Sequence, residues 1–174
     1  MIYTKKGDSG KSLISGKSYE KCCVEIDALG ELDELNSLLG LVKNNVKPHK
    51  QILSNIQNDL FIIQAVIASK SFNLRLPAPN FKKEKIWYLE KEIKKVEKNL
   101  RPITTFIIPG SNYTSAFFDY ARAVARRCER SVIKFNKKRK VGGNVLAYIN
   151  RLSSLLYVLA RVEDKGKETF PKYN

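Results

Sequence analysis

The sequence is poorest in the residues that build redox and metal centres, with one histidine, one methionine and three cysteines in 174 residues. His49 lies in the turn Val46-Lys47-Pro48-His49-Lys50 and reads as a solvated loop residue. Carboxylate di-iron bundles ordinarily use two histidines, and haem bundles need axial His or Met; with Met1 the sole methionine, both classes are disfavoured. A Ser-His-Asp or Cys-His centre built on His49 is disfavoured for the same reason. Cys22, Cys23 and Cys128 form an odd set with no CxxC spacing, so neither a disulfide framework nor a zinc site is indicated. Long apolar runs are also missing. The longest, Leu60 to Ala68, is broken by Gln64 and falls far short of the ~18–20 residues of a membrane span. The opening MIYTKKGDSGKS has no apolar stretch resembling a signal peptide, and the expected compartment is a reducing cytoplasm.

Acidic residues are scarce too. Seventeen Asp and Glu stand against 32 Lys and Arg, a net charge of +15. That excess suits a polyanionic partner (nucleic acid, an acidic membrane surface or a phosphate-bearing small molecule) and does not choose among them. The length and the 43% hydrophobic content are those of one folded domain with a real core.

The periodicity is helical nearly throughout. Apolar residues recur at steps of three and four in five segments: Ala28 to Val42, Ile52 to Ile67, Ile86 to Leu100, Phe117 to Phe135, and Val145 to Leu159. No segment sustains a period of two, so the expected fold class is all-α. The breaks agree: Pro48 near the start of the second helix, the 71–80 stretch with Pro77 and Pro79, Pro102 with Pro109-Gly110-Ser111-Asn112, and the 136–144 linker. The expected organisation is a single helical domain over 1–174, with a Gly-, Ser- and Lys-rich segment over 1–20 and a frayed basic tail over 164–174. Two basic runs, 82–98 and Lys137-Lys138-Arg139-Lys140, read as solvated surface; a nucleic-acid partner is the weaker candidate and a membrane partner is not expected.

Three constellations carry chemical interest. Gly7-Asp8-Ser9-Gly10-Lys11-Ser12 fails as a Walker A loop, because Lys5 stands where the first glycine belongs. Its backbone N–H groups and lysines still suit anionic oxygens. On the fourth helix, Arg122, Arg126, Glu129 and Arg130 share an arc of about 100° opposite the apolar stripe, a fork-rich surface for a polyphosphate or a solvated face with local ion pairs. On the first helix, Ile26, Gly30, Asp33, Ser37 and Gly40 make a small-residue face, implying close approach of another backbone within or between chains.

In order along the chain, Tyr3-Thr4-x-x-Gly7-Asp8-x-Gly10-x-Ser12, Lys21, Asp33-Glu34-Leu35-Asn36-Ser37, Phe106-Ile107-Ile108-Pro109-Gly110, Arg122-x-x-x-Arg126-Arg127-x-Glu129-Arg130 and Asn150-Arg151-Leu152-Ser153 resemble the signatures of PduO-type ATP:cob(I)alamin adenosyltransferases. The resemblance spans about residues 2 to 162 and is least diagnostic over 45–100. It implies a ferritin-like five-helix bundle that assembles as a homotrimer with active sites between subunits. Thr4, Gly7, Asp8, Gly10, Ser12 and Lys21 would contact ATP, and Arg126, Arg127, Glu129, Arg130 and Asn150 would bind it from the neighbouring subunit. Asp33 and Arg122 would form the intersubunit ion pair. Phe106 would help exclude the corrinoid's lower axial ligand; Arg126, Asn150 and Phe106 would carry the catalytic work.

The implied reaction is attack by cobalt of cob(I)alamin on C5′ of ATP, with triphosphate leaving. Mg²⁺ would accompany ATP, with no protein ligand set assigned beyond a role for Glu129. A reductase and a corrinoid-dependent client enzyme are the implied partners. Departures at six positions bear on substrate preference more than on reaction type: Lys6 for Thr, Asp119 for His, small-residue exchanges at Ala125 and Cys128, Ser111 for Gly, and Ser154 for Asp. The alternatives are a non-catalytic ATP sensor or corrinoid carrier, and a basic helical nucleic-acid binder.

Overall fold

The computed structural model describes Tyr3, residues 5–72, Leu74 and residues 77–173. Five helices follow a short hairpin: β1 (Lys11–Ile14), β2 (Lys17–Glu20), α1 (Val24–Asn45), α2 (Lys50–Ser71), α3 (Glu84–Glu97), α4 (Tyr113–Lys138) and α5 (Gly143–Asp164). α1 packs against both α2 and α4, α4 against α5, and α5 against α3. The stripes supply the core: Leu32, Leu35 and Leu39 of α1, Ile56, Leu60 and Ile63 of α2, and Ile149, Leu152 and Leu156 of α5 are fully buried. Burial of each such side chain is worth roughly 1.5–3 kcal/mol. Two positions shift by one residue from the sequence reading. Leu53 rather than Ile52 is fully buried in α2, and Phe118 rather than Phe117 in α4.

The all-α expectation needs one correction. Residues 11–20 form an antiparallel hairpin with Ser12 opposite Tyr19 and Leu13 opposite Ser18. Its two-residue turn, Ser15-Gly16, has φ of 49° and 77°, the left-handed pair that a tight hairpin requires. The Tyr19 ring packs edge-on against Phe72 at 4.8 Å, which pins the hairpin to the C-terminal end of α2.

The C-terminal tail is likewise not frayed over its length, because the Ile108 N–H donates to the Thr169 carbonyl at 2.9 Å. His49 is not a solvated loop residue. Its side chain is 12% exposed, contacts Glu163 Oε1 through Nε2 at 3.1 Å, and meets Phe118 edge-on. By length and composition α2 and α5 would each suffice to cross a membrane, although neither contains a long uninterrupted apolar run; here their apolar faces form the bundle core.

Candidate functional site

The fourth and fifth helices position most of the candidate residues. α4 begins at a well-defined point because Asn112 and Ser115 form a reciprocal capping box, which fixes the phase of the helix from its first turn. That phase buries Ala121, Val124, Cys128 and Phe135 and turns Arg126 and Arg130 to solvent. The Cys128 thiol is inert by burial, which pushes it up to about 12.

Beside this strip, Asn150 of α5 donates from Nδ2 to Glu129 Oε1 at 2.9 Å. Arg151 donates to Asn150 Oδ1 at 2.7 Å and to Glu90 Oε1 of α3 at 3.2 Å. The amide is thus held in one orientation from both ends. Arg130 donates to the Arg126 carbonyl at 3.0 Å.

Arg127, grouped with the nucleotide contacts by resemblance, is placed otherwise. Its guanidinium donates to Glu31 at 2.7 Å and also to Glu34, tying α4 to α1. Hydrogen bonds to Glu34 and Glu31 raise its pKa further above the ordinary arginine value. Within the chain its charge is already matched.

The loop between α3 and α4 carries Phe106, which is 79% exposed. It borders a cavity of about 550 Å³ that is also lined by Asp119, Arg122, Tyr157 and Arg161. A smaller cavity of about 240 Å³ between α4 and α5 is lined by Arg122, Arg126, Ser153 and Tyr157 among others. Arg122 and Tyr157 belong to both, so they form the partition between the Phe106 side and the Arg126 side.

The N-terminal candidates gather separately. Lys21 Nζ donates to the Gly7 carbonyl at 2.8 Å, and the Lys21 N–H donates to the Gly10 carbonyl at 2.9 Å. Gly10 has φ of 77°, which favours glycine there. Asp8 is exposed beside them, and Ser12 is half-buried on β1. Thr4 lies outside the described residues. Among the described residues, no hydrogen bond or ion pair joins this loop to Arg126, Glu129, Arg130 or Asn150 of the same chain. Asp33 is exposed and, among the described residues, forms no ion pair; Arg122 instead has Asp119 Oδ1 at 3.7 Å from its Nε. The small-residue face is only partly explained within the chain: Gly40 abuts the Gln57 side chain, and Gly30 faces open space.

Sequence reasoning missed the charged group beneath the Phe106 cavity. Arg161 donates to Asp119 Oδ2 at 2.6 Å and approaches Asp164 Oδ2 at 2.8 Å, and all three residues are buried. The signal was present in Val158-Leu159-Ala160-Arg161-Val162 and Phe117-Phe118-Asp119-Tyr120-Ala121, where one charge interrupts an apolar run and therefore needs a buried partner. Among the described residues no three His, Cys, Asp or Glu side chains cluster as a metal site. Glu129 is a single carboxylate already accepting from Asn150, so these residues do not fit a protein-held Mg²⁺.

The bundle, with its arginine strip on α4, its glycine-rich basic loop and its aromatic-edged cavity, has the architecture of one known family. Residues 2–163 match the model of the cobalamin adenosyltransferase family, to which the chain belongs. It is 38% identical over 169 residues to the corrinoid adenosyltransferase PduO of Citrobacter freundii, covering 94% of this chain and 50% of that protein. A second corrinoid adenosyltransferase of the same organism is 34% identical over 166 residues, covering 94% of each. The chain therefore spans about half the length of the first relative and nearly all of the second. A solved variant of a PduO-type ATP:corrinoid adenosyltransferase from Lactobacillus reuteri, complexed with cobalamin and ATP, superposes with a TM-score of 0.88 at 28% identity, covering 99% of this chain and 97% of that one.

Proposed function

We propose that the protein transfers the 5′-deoxyadenosyl group of ATP to the cobalt of a reduced corrinoid. Cobalt(I) supplies the electron pair, the Co–C5′ bond forms, the C5′–O bond breaks, and triphosphate leaves with its electrons. The observation that carries this reading is the partition at Arg122 and Tyr157, which sets an aromatic-edged cavity next to one walled by Arg126. The first offers an apolar edge of Ile103, Phe106, Ile107 and Pro109 for a macrocycle; the second offers cationic forks for a departing polyphosphate.

No general base is needed, since the nucleophile is the metal of the substrate. The chain's own work is positioning and charge stabilisation. Arg126 and Arg130 meet the phosphates, Asn150 is held by Glu129 and Arg151 in a fixed orientation toward the nucleotide, and Phe106 excludes the lower axial ligand. Gly7, Asp8, Gly10, Ser12 and Lys21, with Thr4, form a loop over the triphosphate, so that residues 1–20 act as a cover on a single helical domain. Arg127 serves to fasten α4 to α1. ATP brings its own Mg²⁺, and no step is assigned to that ion.

Among the described residues no hydrogen bond or ion pair joins the two halves of the nucleotide site within one chain, which supports a homotrimer whose sites are shared between neighbours, with Asp33 of one subunit meeting Arg122 of the next. The free thiols of Cys22, Cys23 and Cys128 suit a reducing cytoplasm, where a reductase supplies cobalt(I) and a corrinoid-dependent enzyme takes the product. The test is anaerobic: chemically reduced cob(I)alamin and Mg-ATP are mixed with the protein and the adenosylcobalamin spectrum is followed. Product at catalytic yield supports the reading. ATP binding without product would replace it with a sensor or carrier.

A further inference from the structure

The outer face of α3 separates charges that the sequence interleaves. Ile86 and Leu89 are buried, with Ile93 and Val96 half-buried on the same side. That phase leaves Glu90 and Glu92 half-buried on the flanks and turns Lys91, Lys94, Lys95 and Lys98 outward. Trp87 shares the outward face at 53% exposure, with Lys83 Nζ 5.3 Å from its ring centroid. Among the described residues none of these five lysines pairs with a carboxylate, whereas Glu90 is taken by Arg151 of α5. An exposed tryptophan can anchor a protein interface, and cations around it supply steering and register.

The strip leads toward the Phe106 loop. Its groove ends at Asn99, which also lines a cavity of about 630 Å³ together with Arg101 and Lys165. That cavity shares Ile103, Thr104, Thr105 and Ile107 with the Phe106 cavity. Arg101 and Lys165 are exposed, so positive charge continues from α3 to the edge of the proposed corrinoid site.

The occupant follows from charge and from the reaction. A second copy of this chain offers no match, because its exposed carboxylates Asp8, Asp33 and Glu168 lie on three separate segments. A continuous phosphate surface would crowd Glu84, Glu90, Glu92 and Glu97, which border the strip, whereas discrete carboxylates on a protein can avoid them. Cobalt(I) is a strong reductant that is lost by oxidation to cobalt(II) if it must diffuse, so it is best made beside the cavity where it reacts.

We infer that the outward face of α3 docks an acidic one-electron carrier protein, which reduces cobalt(II) to cobalt(I) at the neighbouring Phe106 cavity. One electron leaves the carrier and enters cobalt while Phe106 keeps the lower axial position empty, and the resulting cobalt(I) pair forms the Co–C5′ bond. The inference rests on the adenosyl-transfer reading above and adds the place where its reductant sits.

The test starts anaerobically from cob(II)alamin and Mg-ATP with two electron donors: reduced flavodoxin, a small acidic protein, and reduced methyl viologen, a small cation with no docking surface. The triple variant Lys91→Gln, Lys94→Gln, Lys98→Gln and the single variant Trp87→Ala are compared with the wild type. A control triple variant, Lys47→Gln, Lys137→Gln, Lys140→Gln, removes the same charge from exposed positions elsewhere. The α3 triple variant is expected to raise the KM for flavodoxin by about tenfold, the scale of lost electrostatic steering, and to flatten its salt dependence. Trp87→Ala should raise that KM with the salt dependence intact. Rates with methyl viologen and with pre-reduced cob(I)alamin should stay at the wild-type value in both.

An unchanged flavodoxin KM in the α3 triple variant, an equal loss with methyl viologen, or the same loss in the control variant would each overturn the inference. So would a wild type that turns over pre-reduced cob(I)alamin but accepts no electrons from flavodoxin. Loss of binding to anionic phospholipid vesicles or duplex DNA, with flavodoxin-driven turnover unchanged, would replace the carrier with a polyphosphate surface. A wild type that gives no product from pre-reduced cob(I)alamin would contradict the adenosyl-transfer reading itself, which keeps the two failures apart.

Discussion

Asn150 Nδ2 donates to Glu129 Oε1 at 2.9 Å, so a side-chain amide on α5 and a carboxylate of the α4 arginine strip act as one unit. Arg151 completes it by holding the amide oxygen. With both ends engaged, the amide is presented in a single orientation and pays little entropy on meeting a ligand. Preorganised polar groups of this kind are where transition-state charge is stabilised most effectively.

Removing members of this unit should therefore harm turnover rather than folding. Asn150 and Arg126 are exposed, so Asn150→Ala and Arg126→Ala should leave helical content and melting temperature close to wild type. Turnover should fall by about a hundredfold or more, the range seen on losing one preorganised donor. Circular dichroism and the anaerobic assay check this together; near-normal rates in both variants would contradict the assignment.

Phe106 separates the two substrates. Its ring is mostly outside the core, so Phe106→Ala should not destabilise the protein. Nucleotide binding, measured by calorimetry, should stay near wild type while the rate with cob(I)alamin collapses. A parallel loss of ATP affinity would contradict its role beside the corrinoid.

Asp33 tests the assembly. It is exposed in the single chain without an ion partner among the described residues, so Asp33→Ala should leave a folded subunit. Sedimentation velocity should show a wild-type trimer and a variant that dissociates at higher concentration, with activity falling in step. A monomeric wild type would contradict the shared site.

Glu25 gives a pH-dependent signal. Burial raises its pKa, but its own backbone N–H, the Cys23 thiol, and Lys138 and Arg139 at 3.7 and 3.6 Å outweigh that, and the net shift is downward from 4.5. A carboxylate lowered in the folded state contributes stability above its unfolded pKa and loses it as the pH falls through the folded value. Glu25→Gln should therefore lower the melting temperature at pH 7, and the gap to wild type should close as the pH drops below 4.5. A gap that persists in acid would contradict the charge pairing.

The helices were legible because their apolar stripes pack on one core: the Leu32-Leu35-Leu39 spacing alone places α1 against its neighbours, while α3 buries only Ile86 and Leu89. The β1–β2 hairpin was not, because its strands are four residues long and expose Leu13 while turning Ser12 inward, which blurs the alternation. Only the Ser15-Gly16 turn carried a local signal. His49 was misread because its partners, Phe118 and Glu163, are far away in sequence and nothing nearby demands burial. Arg127 shows the other limit. Helix phase places it off the Arg122–Arg126–Arg130 strip, but only the packing of α1 on α4 brings Glu31 and Glu34 to it.

The most direct test of the account follows the carbon that moves. ATP labelled at C5′ is incubated anaerobically with cob(I)alamin and protein, and both the corrinoid and the phosphate products are analysed. The account predicts the label on cobalt, with one intact inorganic triphosphate released per adenosyl group. Label remaining in nucleotide, or release of pyrophosphate and phosphate with no labelled corrinoid, would contradict it.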